Sequence, residues 1–259
     1  MTDYRFDAAQ TRDRLVQMIR DLALAQGFSK VVLGVSGGKD STVAAALCAR
    51  ALGPDNVYGV MLPDGEQKDI SDSIRVCDVL GIRRRTINIG EMHRSLRALT
   101  DQQGENHADG EFAIPYNRES DINVGPRLRM TTLRYIAQAL NARLVGTGNL
   151  SEITVGYCTK DGDTSSDFSL LGALTSVEVV QVGLAMEELP RDLVVKTPSD
   201  GLSGKSDEER LGVTYRNIHD FIRNGTSGDE AIDARISGME KRNMHKRHRP
   251  LVLDPFKTE

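Results

Sequence analysis

The chain has 259 residues, of which 39% are hydrophobic and 27% are charged, and its net charge is −4 at pH 7. This composition is typical of a globular protein with a sizeable core, and we expect neither nucleic acid nor a membrane as a partner. The amino-terminal segment lacks the apolar core of a signal peptide, and no run approaches the ~20 apolar residues of a membrane span. Cys48, Cys77 and Cys158 are too scattered for a disulfide framework or a thiolate zinc site, and predict a reducing, cytoplasmic setting.

The first third of the chain alternates helical and strand patterns. Apolar residues recur at helical spacing in three segments, and three short apolar runs are typical of buried parallel strands. In chain order, the predicted elements are a helix over 7–26, a strand over 31–35, a helix over 39–52, a strand over 57–62, a helix over 69–80 and a strand over 84–89. This β-α-β-α-β order predicts a doubly wound parallel sheet.

The rest of the chain continues the alternation less regularly. The predicted elements are a polar loop over 101–111, a helix over 123–142, a strand over 143–147, a loop over 159–167, a helix over 175–188, a weak strand over 193–196, a helix from the capping box Ser206–Glu209 to Gly225, and a helix over about 228–243. We expect a Rossmann-like α/β fold with a doubly wound parallel sheet of about five strands flanked by helices. Residues 1–259 are expected to form one domain.

The segment 31-VVLGVSGGKDSTVAA-45 has the features of a phosphate-binding loop. It follows a buried strand and precedes a helix, at the strand end where open parallel sheets bind ligands. Gly37 and Gly38 let the backbone approach a ligand closely, and the following helix directs free N–H groups at an anion. Asp40 would repel phosphate unless a Mg²⁺ ion lies between them. A tight glycine-rich turn without a ligand is the alternative, but the combined features favour a phosphate site.

The motif Ser-Gly-Gly-Lys-Asp-Ser at 36–41 resembles the SGGxDS pyrophosphate-binding loop of the ATP pyrophosphatase superfamily. That resemblance implies adenylation of a substrate with release of pyrophosphate. Further segments occur in an order that, together with the loop, resembles the ammonia-dependent NAD synthetase family over about residues 10–255. They are 127-RLRM-130, 145-VGTGNLSEITVGYCTKDGD-163, 196-KTPSDGLSGKSDE-208, 211-LGVTYRNI-218 and 245-HKRHRP-250. The resemblance implies that ATP adenylates the nicotinate carboxylate of nicotinic acid adenine dinucleotide (deamido-NAD), and that ammonia then displaces AMP.

The resemblance also implies roles for individual residues. Asp40 and Glu152 are the expected Mg²⁺ ligands and catalytic carboxylates, because adenylation brings two negatively charged groups together. The expected ATP-binding residues are Gly34, Val35, Ser36, Gly37, Gly38, Lys39, Asp40, Ser41, Gln67, Thr147 and Ser199. The expected deamido-NAD-binding residues are Arg127, Lys160, Asp167, His245 and Lys246. Taken singly, Glu152 could equally be an exposed helix-start residue, and the other charged residues could be solvated surface charges.

The chain departs from the family pattern at Ser176, where the family commonly has a lysine that contacts ATP. Lys196 or Lys205 could substitute for that lysine. The alternatives to an NAD synthetase are another ATP-pyrophosphatase amidating ligase and a non-catalytic nucleotide-binding homologue. No glutaminase segment is recognisable, which predicts free ammonia as the nitrogen donor. The resemblance further implies a homodimer.

Overall fold

The computed structural model of the chain describes residues 6–67, 70–100, 114–196 and 206–247. At the centre of these residues lies a five-stranded parallel sheet with the strand order β3-β2-β1-β4-β5. The strands are β1 (Val31–Gly34), β2 (Val57–Met61), β3 (Arg83–Thr86), β4 (Arg143–Gly146) and β5 (Phe168–Ser169). The strand order reverses direction between β1 and β4, as in a doubly wound sheet, so the predicted fold class is confirmed.

Helices cover both faces of this sheet. They are α1 (Ala8–Gln26), α2 (Lys39–Leu52), α3 (Ile70–Leu80), α4 (Gly90–Thr100), α5 (Arg118–Leu140), α6 (Leu150–Val155), α7 (Ser176–Leu184), α8 (Arg191–Val194), α9 (Asp207–Leu211), α10 (Tyr215–Asn224) and α11 (Glu230–Asn243). Short 3₁₀ turns occupy Pro54–Asn56 and Met244–Lys246. Within the described part of the chain, no helix combines the length and the apolar character that a membrane crossing requires.

The alternation of side chains along β1 divides the core between the two faces of the sheet. Val31 and Leu33 pack in a large cluster with α1, α2 and α7, whereas Val32 packs in a second cluster with α5. All three side chains are fully buried, as expected for a central parallel strand. A third cluster joins α6 to α9, α10 and α11 around Ile218 and Ile236. These clusters place the loop after β1 beside the start of α6.

The predicted strand over 193–196 is wrong. Residues 191–194 form the single helical turn α8, which begins after Pro190 and buries Leu193 and Val194. A short apolar run does not distinguish a buried strand from a buried helical turn, which explains the error. The fifth strand is instead β5, which directly follows the loop predicted over 159–167.

The single helix predicted from Ser206 to Gly225 is also wrong. The capping box is present, but it starts only the short helix α9, which ends at Gly212 with a φ of 67°. A second capping box, formed by Thr214 and Asn217, then starts α10. The apolar spacing continues across the break because both helices pack into the same cluster.

Other boundaries differ from the prediction by several residues. The third strand ends at Thr86 rather than at 89, although the Ile87 N–H still donates to the Met61 carbonyl of β2 at 2.9 Å. Helix α5 begins at Arg118 and accommodates Pro126 in its interior, whereas α4 and α6 were not predicted. The polar loop predicted over 101–111 lies outside the described residues.

Candidate active site

The phosphate-loop segment packs tightly against the beginning of α3. Gly37 has a φ of 78°, and a β-carbon built on it would lie 2.9 Å from the Asp72 Cβ and 3.0 Å from the Ser73 nitrogen. Only glycine avoids both the strained backbone and this clash. The Val35 N–H donates to the Val60 carbonyl at 3.0 Å, which holds the beginning of the loop against β2. The loop is therefore held between β2 and the beginning of α3.

Hydroxyl groups brace the loop from inside. The Ser36 and Ser41 hydroxyls lie 3.1 Å apart, and the Gly38 N–H donates to the Ser36 hydroxyl at 3.3 Å. Thr42 donates to the Gly38 carbonyl at 2.8 Å. Gly38 is the N-cap of α2 and supplies no side chain to the first-turn N–H groups. An anion can therefore take the place of the missing cap, aided by the positive end of the helix dipole.

Asn149 joins the two carboxylates that were expected to hold Mg²⁺. Its side-chain amide donates to Asp40 Oδ1 at 3.0 Å, and its backbone N–H donates to Glu152 Oε2 at 2.9 Å. Its side-chain oxygen accepts from the Glu152 N–H at 3.1 Å and so caps α6. Asn149 is completely buried. The sequence prediction missed it, although Asn-x-x-Glu before an apolar run is a capping-box signal.

Burial and charge act together on this carboxylate pair. Burial, and then the negative charge of Asp40, raises the pKa of Glu152 to about 8, while Lys39 opposes the shift. The Lys39 ammonium donates to Asp40 Oδ2 at 2.7 Å and lies 5.2 Å from the centre of the Tyr215 ring. The Lys39 side chain is only 4% exposed. The Lys39 ammonium thus balances part of the negative charge of Asp40 and Glu152.

The donor set at this position fits Mg²⁺. Asp40 and Glu152 offer carboxylate oxygens, and Mg²⁺ in nucleotide sites is bound by one or two carboxylates together with phosphate oxygens and water. Within residues 6–67, 70–100, 114–196 and 206–247, no three His, Cys, Asp or Glu side chains form a metal-binding group. Such a site would therefore depend on the nucleotide for part of its ligand set.

Two tyrosines and a buried aspartate form a hydrogen-bonded group beside Lys39. The hydroxyls of Tyr157 and Tyr215 each donate to Asp207 at 3.1 Å, and Asp207 is 6% exposed. Burial raises the pKa of the Tyr215 hydroxyl, so it stays protonated and remains a donor. The sequence did not predict a role in the site for Tyr157, Asp207 or Tyr215.

Three residues outside the phosphate loop are predicted to bind ATP, and the structure describes two of them. Thr147 follows β4 at the same sheet edge as the loop and is half-buried, and Gln67 is half-buried after β2. Ser199 lies outside the described residues, as does Lys205. Ser176 is buried at the start of α7, where its N–H donates to the Ser151 hydroxyl at 3.1 Å.

Lys196, suggested as a substitute for the absent lysine at 176, lies beside the phosphate loop. Its ammonium donates to Asp72 Oδ2 at 2.6 Å, and Asp72 is the residue against which Gly37 packs. Lys39 also lies close to the loop, where its ammonium donates to Asp40 of the carboxylate pair. Both lysines are placed to add positive charge to a phosphate site at this loop. The sequence alone did not show which lysine lies close to the loop.

Three of the residues predicted to bind deamido-NAD are Arg127, Lys160 and Asp167, and two of them contact each other. Arg127 and Lys160 are neighbours, since Arg127 Nε donates to the Lys160 carbonyl at 3.3 Å. Asp167 is engaged by the protein, because Arg134 donates to one oxygen and the Leu144 N–H to the other, the latter at 2.7 Å. Their roles in substrate binding stay predictions.

The tail pair, His245 and Lys246, lies beyond the end of α11. His245 Nδ1 is 3.1 Å from the Arg242 carbonyl, and its ring is exposed. The Lys246 ammonium donates to the carbonyls of Gly156 and Cys158 at 2.8 and 2.9 Å. In this arrangement Lys246 holds the segment after α6, and its predicted contact with substrate stays a prediction.

Comparisons with known proteins agree with the geometry. The family model described as NAD synthase matches residues 11–250. The NH(3)-dependent NAD(+) synthetase of Archaeoglobus fulgidus is 34% identical over 247 residues, which cover 93% of this chain and 94% of that protein. The synthetase of the same name from Methanoregula boonei is 34% identical over 242 residues, covering 89% of this chain and 91% of the relative.

Two solved structures of synthetases are similar to this chain over nearly its whole length. An NMN synthetase from Francisella tularensis superposes with a TM-score of 0.86 at 30% identity, over 98% of this chain and 100% of that one. An NH3-dependent NAD synthetase from Campylobacter jejuni superposes with a TM-score of 0.74 at 25% identity, over 96% and 100%. With a phosphate loop joined to a carboxylate pair on this fold, the chain belongs to the NAD synthase family and is an enzyme of the ammonia-dependent NAD synthase type.

Proposed function

We propose that this protein makes NAD from deamido-NAD, ATP and ammonia through an adenylated nicotinate, with release of pyrophosphate and AMP. The observation that carries the proposal is the link made by Asn149 between Asp40 of the phosphate loop and Glu152 of α6. It brings two carboxylates to the carboxyl edge of the sheet, where nucleotides bind in open α/β folds. The names of the relatives support the choice of acid and nitrogen donor.

In the proposed reaction, the phosphate loop binds the β- and γ-phosphates of ATP through its N–H groups and the hydroxyls of Ser36 and Ser41. Asp40 and Glu152 would hold Mg²⁺, which supplies positive charge against the phosphates. Lys39 adds a fixed ammonium beside Asp40. A nicotinate oxygen attacks the α-phosphorus while the bond to the β-phosphate oxygen breaks, and pyrophosphate leaves. Ammonia then attacks the acyl carbon, loses a proton and expels AMP.

The remaining residue assignments belong to the same proposal. Gln67, Thr147 and Ser199 contact ATP, while Arg127, Lys160, Asp167, His245 and Lys246 contact deamido-NAD. The chain acts as one domain over residues 1–259 and forms a homodimer in the cytoplasm. The three free cysteines support a reducing compartment.

The test is a reconstitution with purified protein, deamido-NAD, ATP, Mg²⁺ and either ammonium or glutamine, in which NAD and pyrophosphate are measured together. Equal amounts of both products with ammonium alone are expected. Asp40→Asn and Glu152→Gln should each lower kcat by about a hundredfold or more. Pyrophosphate without NAD would indicate a different acceptor acid, as in another ATP-pyrophosphatase ligase. ATP binding with neither product would indicate a non-catalytic homologue.

A second candidate function is the amidation of nicotinic acid mononucleotide, which gives NMN by the same chemistry. The favouring observation is the likeness to the NMN synthetase from Francisella tularensis, whose TM-score of 0.86 exceeds the 0.74 of the Campylobacter jejuni NAD synthetase. The two acids differ in the adenylate half, so the comparison of kcat/KM for the dinucleotide and the mononucleotide separates them. A higher kcat/KM for the mononucleotide would establish the second function.

A further inference from the structure

Helix α6 is short, yet it carries one of the two carboxylates of the proposed metal site. It has 6 residues, Leu150–Val155, and Glu152 is the third of them. A helix of this length has little stability of its own, because helix formation begins with a costly nucleus. The Glu152 and Ile153 carbonyls accept from the N–H groups of Tyr157 and Gly156 at 2.9 and 3.3 Å, and the carbonyls after them need donors from elsewhere. The position of Glu152 therefore depends on what binds the two ends of α6.

Further donors at the carboxyl end come from the basic tail, which is the segment 241-KRNMHKRHR-249. Three of its residues, Asn243, Lys246 and Arg247, supply them, and we call these three the α6 clasp. Arg247 Nε donates to the Ile153 carbonyl at 2.8 Å, and its Nη2 donates to the Thr154 carbonyl.

The other two clasp residues serve the next carbonyls in order. Asn243 Nδ2 donates to the Val155 carbonyl at 3.0 Å. The Lys246 ammonium donates to Gly156 and Cys158 at 2.8 and 2.9 Å.

Close packing holds the clasp against α6. A β-carbon on Gly156 would lie 2.1 Å from the Asn243 Cβ, so the chain after α6 is in direct contact with the end of α11. The ammonium and guanidinium groups also lie at the negative end of the helix dipole, where cations stabilise a helix. At the opposite end, Asn149 caps α6 and holds Asp40. Both ends of the segment that carries Glu152 are thus fixed by side chains.

We propose that the α6 clasp is a positioning device that holds Glu152 at the distance from Asp40 at which the two bind Mg²⁺ with ATP. The inference rests on the proposed function for the identity of the metal site. It assigns the basic tail a role in metal binding, carried across 94 residues of sequence between Ile153 and Arg247. Loss of the clasp exposes the last carbonyls of α6 and frees the turn that contains Glu152.

The experiment compares Arg247→Met with Arg242→Met as the matched control. Arg247→Met keeps an unbranched apolar side chain and removes the donors to Ile153 and Thr154. The Arg242 side chain is exposed and, among the described residues, makes no hydrogen bond or ion pair. Asn243→Ala and Arg247→Lys remove fewer donors and are measured beside them, so that a folded clasp variant is available.

The readouts are Mn²⁺ binding in the presence of a non-hydrolysable ATP analogue, followed by electron paramagnetic resonance, and deamido-NAD binding by calorimetry. We expect about a tenfold weaker Mn²⁺ affinity for Arg247→Met, as for other residues that support metal ligands. Arg247→Lys should recover part of the loss, and Arg242→Met should match the wild type. The Mg²⁺ concentration that gives half-maximal kcat should rise in parallel, with unchanged deamido-NAD affinity.

The binding measurements distinguish failure of the clasp inference from failure of the proposed metal site. Unchanged Mn²⁺ affinity with weaker deamido-NAD binding in the clasp variants would overturn the inference and make the tail a substrate-binding element. Absence of Mn²⁺ binding in the wild type, or binding that Asp40→Asn leaves intact, would instead overturn the proposed metal site. Equal Mn²⁺ and deamido-NAD affinities in all folded clasp variants would also overturn the clasp.

Discussion

At the scale of single residues, Asn149 contacts both carboxylates of the proposed metal site. The Asn149 side chain caps α6 and donates to Asp40, and the Asn149 backbone N–H donates to Glu152. Because it is completely buried, its amide hydrogen bonds are not exchanged for bonds to water. Its two roles, capping and orientation of Asp40, can be separated by substitution.

Asn149→Ser keeps an oxygen that can cap α6 but removes the amide that donates to Asp40. We expect unfolding free energy within about 1 kcal/mol of the wild type, because serine is also a good N-cap. Activity should fall about 10–100-fold, the usual cost of removing a group that orients a metal ligand. Thermal unfolding and steady-state kinetics check both values. Asn149→Ala, which loses the cap as well, should be less stable by a further ~1 kcal/mol. Wild-type activity in Asn149→Ser would show that Asp40 needs no orientation.

Glu152 combines the proposed role in metal binding with a cost in stability. Burial raises the pKa of Glu152 from 4.5 to about 8. Between these two pH values, Glu152 is protonated in the metal-free folded protein and ionised in the unfolded chain. The stability from this proton is complete below pH 4.5 and is lost as the pH rises through about 8. Above that pH, the folded protein carries an ionised and partly desolvated carboxylate.

Glu152→Gln should therefore stabilise the metal-free protein, although it lowers kcat by about a hundredfold or more. Glutamine can still accept from the Asn149 N–H but never ionises. At pH 9 its melting temperature should exceed that of the wild type by about 2–4 °C, which corresponds to ~1 kcal/mol for a chain of this size. At pH 5 the difference should be much smaller. Thermal melts without divalent cations test this prediction, and a lower melting temperature at pH 9 would mean that Lys39 fully compensates the charge.

Among the elements, α6 and α11 are joined through a position where only glycine fits. Gly156 combines a φ of 70° with a β-carbon position 2.1 Å from the Asn243 Cβ. Gly27 ends α1 with nearly the same φ of 67°, but no atom lies within 4 Å of its β-carbon position. The two glycines share one backbone conformation and differ in packing, so each is a control for the other.

Gly27→Ala should cost about 1–2 kcal/mol of unfolding free energy, the strain of a left-handed alanine. Gly156→Ala should cost about 1–3 kcal/mol more, because α11 must also move away from α6. Denaturant unfolding of both variants gives the difference. Equal costs would indicate that α6 and α11 separate freely, and would also weaken the case for the α6 clasp.

At the scale of the whole molecule, one exposed apolar stripe stands out. Met92, Leu96 and Leu99 are 39%, 40% and 72% exposed and recur at helical spacing on α4. Ile122 and Tyr135 of the neighbouring α5 are also exposed. A stripe of this kind is typical of a protein interface, and it is the surface that we assign to the proposed homodimer.

Leu99→Glu should convert the homodimer into a monomer, because a charge at the centre of an apolar interface would be buried without a partner. Light scattering after size-exclusion chromatography gives the mass directly. The control is Leu24→Glu, which makes the same change at a leucine that is 86% exposed on α1. A monomeric wild type would contradict the proposed homodimer, and dissociation by both variants would argue against this stripe as the interface.

Local pattern was enough for several conclusions drawn from the sequence. The β-α-β-α-β alternation predicted the doubly wound sheet, which is confirmed, whereas the phosphate loop predicted from the glycine-rich segment after β1 stays a prediction. These features depend on residues close in sequence, whose apolar period, caps and turns act over a few positions. The same reasoning failed for 193–196, where a short apolar run suits either a strand or a helical turn, and burial against α2 and α7 decided for the helix.

The sequence by itself determined the family and the fold class, because both depend on contiguous motifs, and it predicted the two carboxylates as metal ligands. Only the tertiary structure decided which groups touch those carboxylates. Asn149 meets Asp40 across 109 residues, and Arg247 meets Ile153 across 94. Contacts over such separations arise when strand order and packed helices bring distant segments together, and no local period records them. The sequence therefore predicted the residues of the proposed chemistry, whereas only the tertiary structure revealed the side chains that contact and support them.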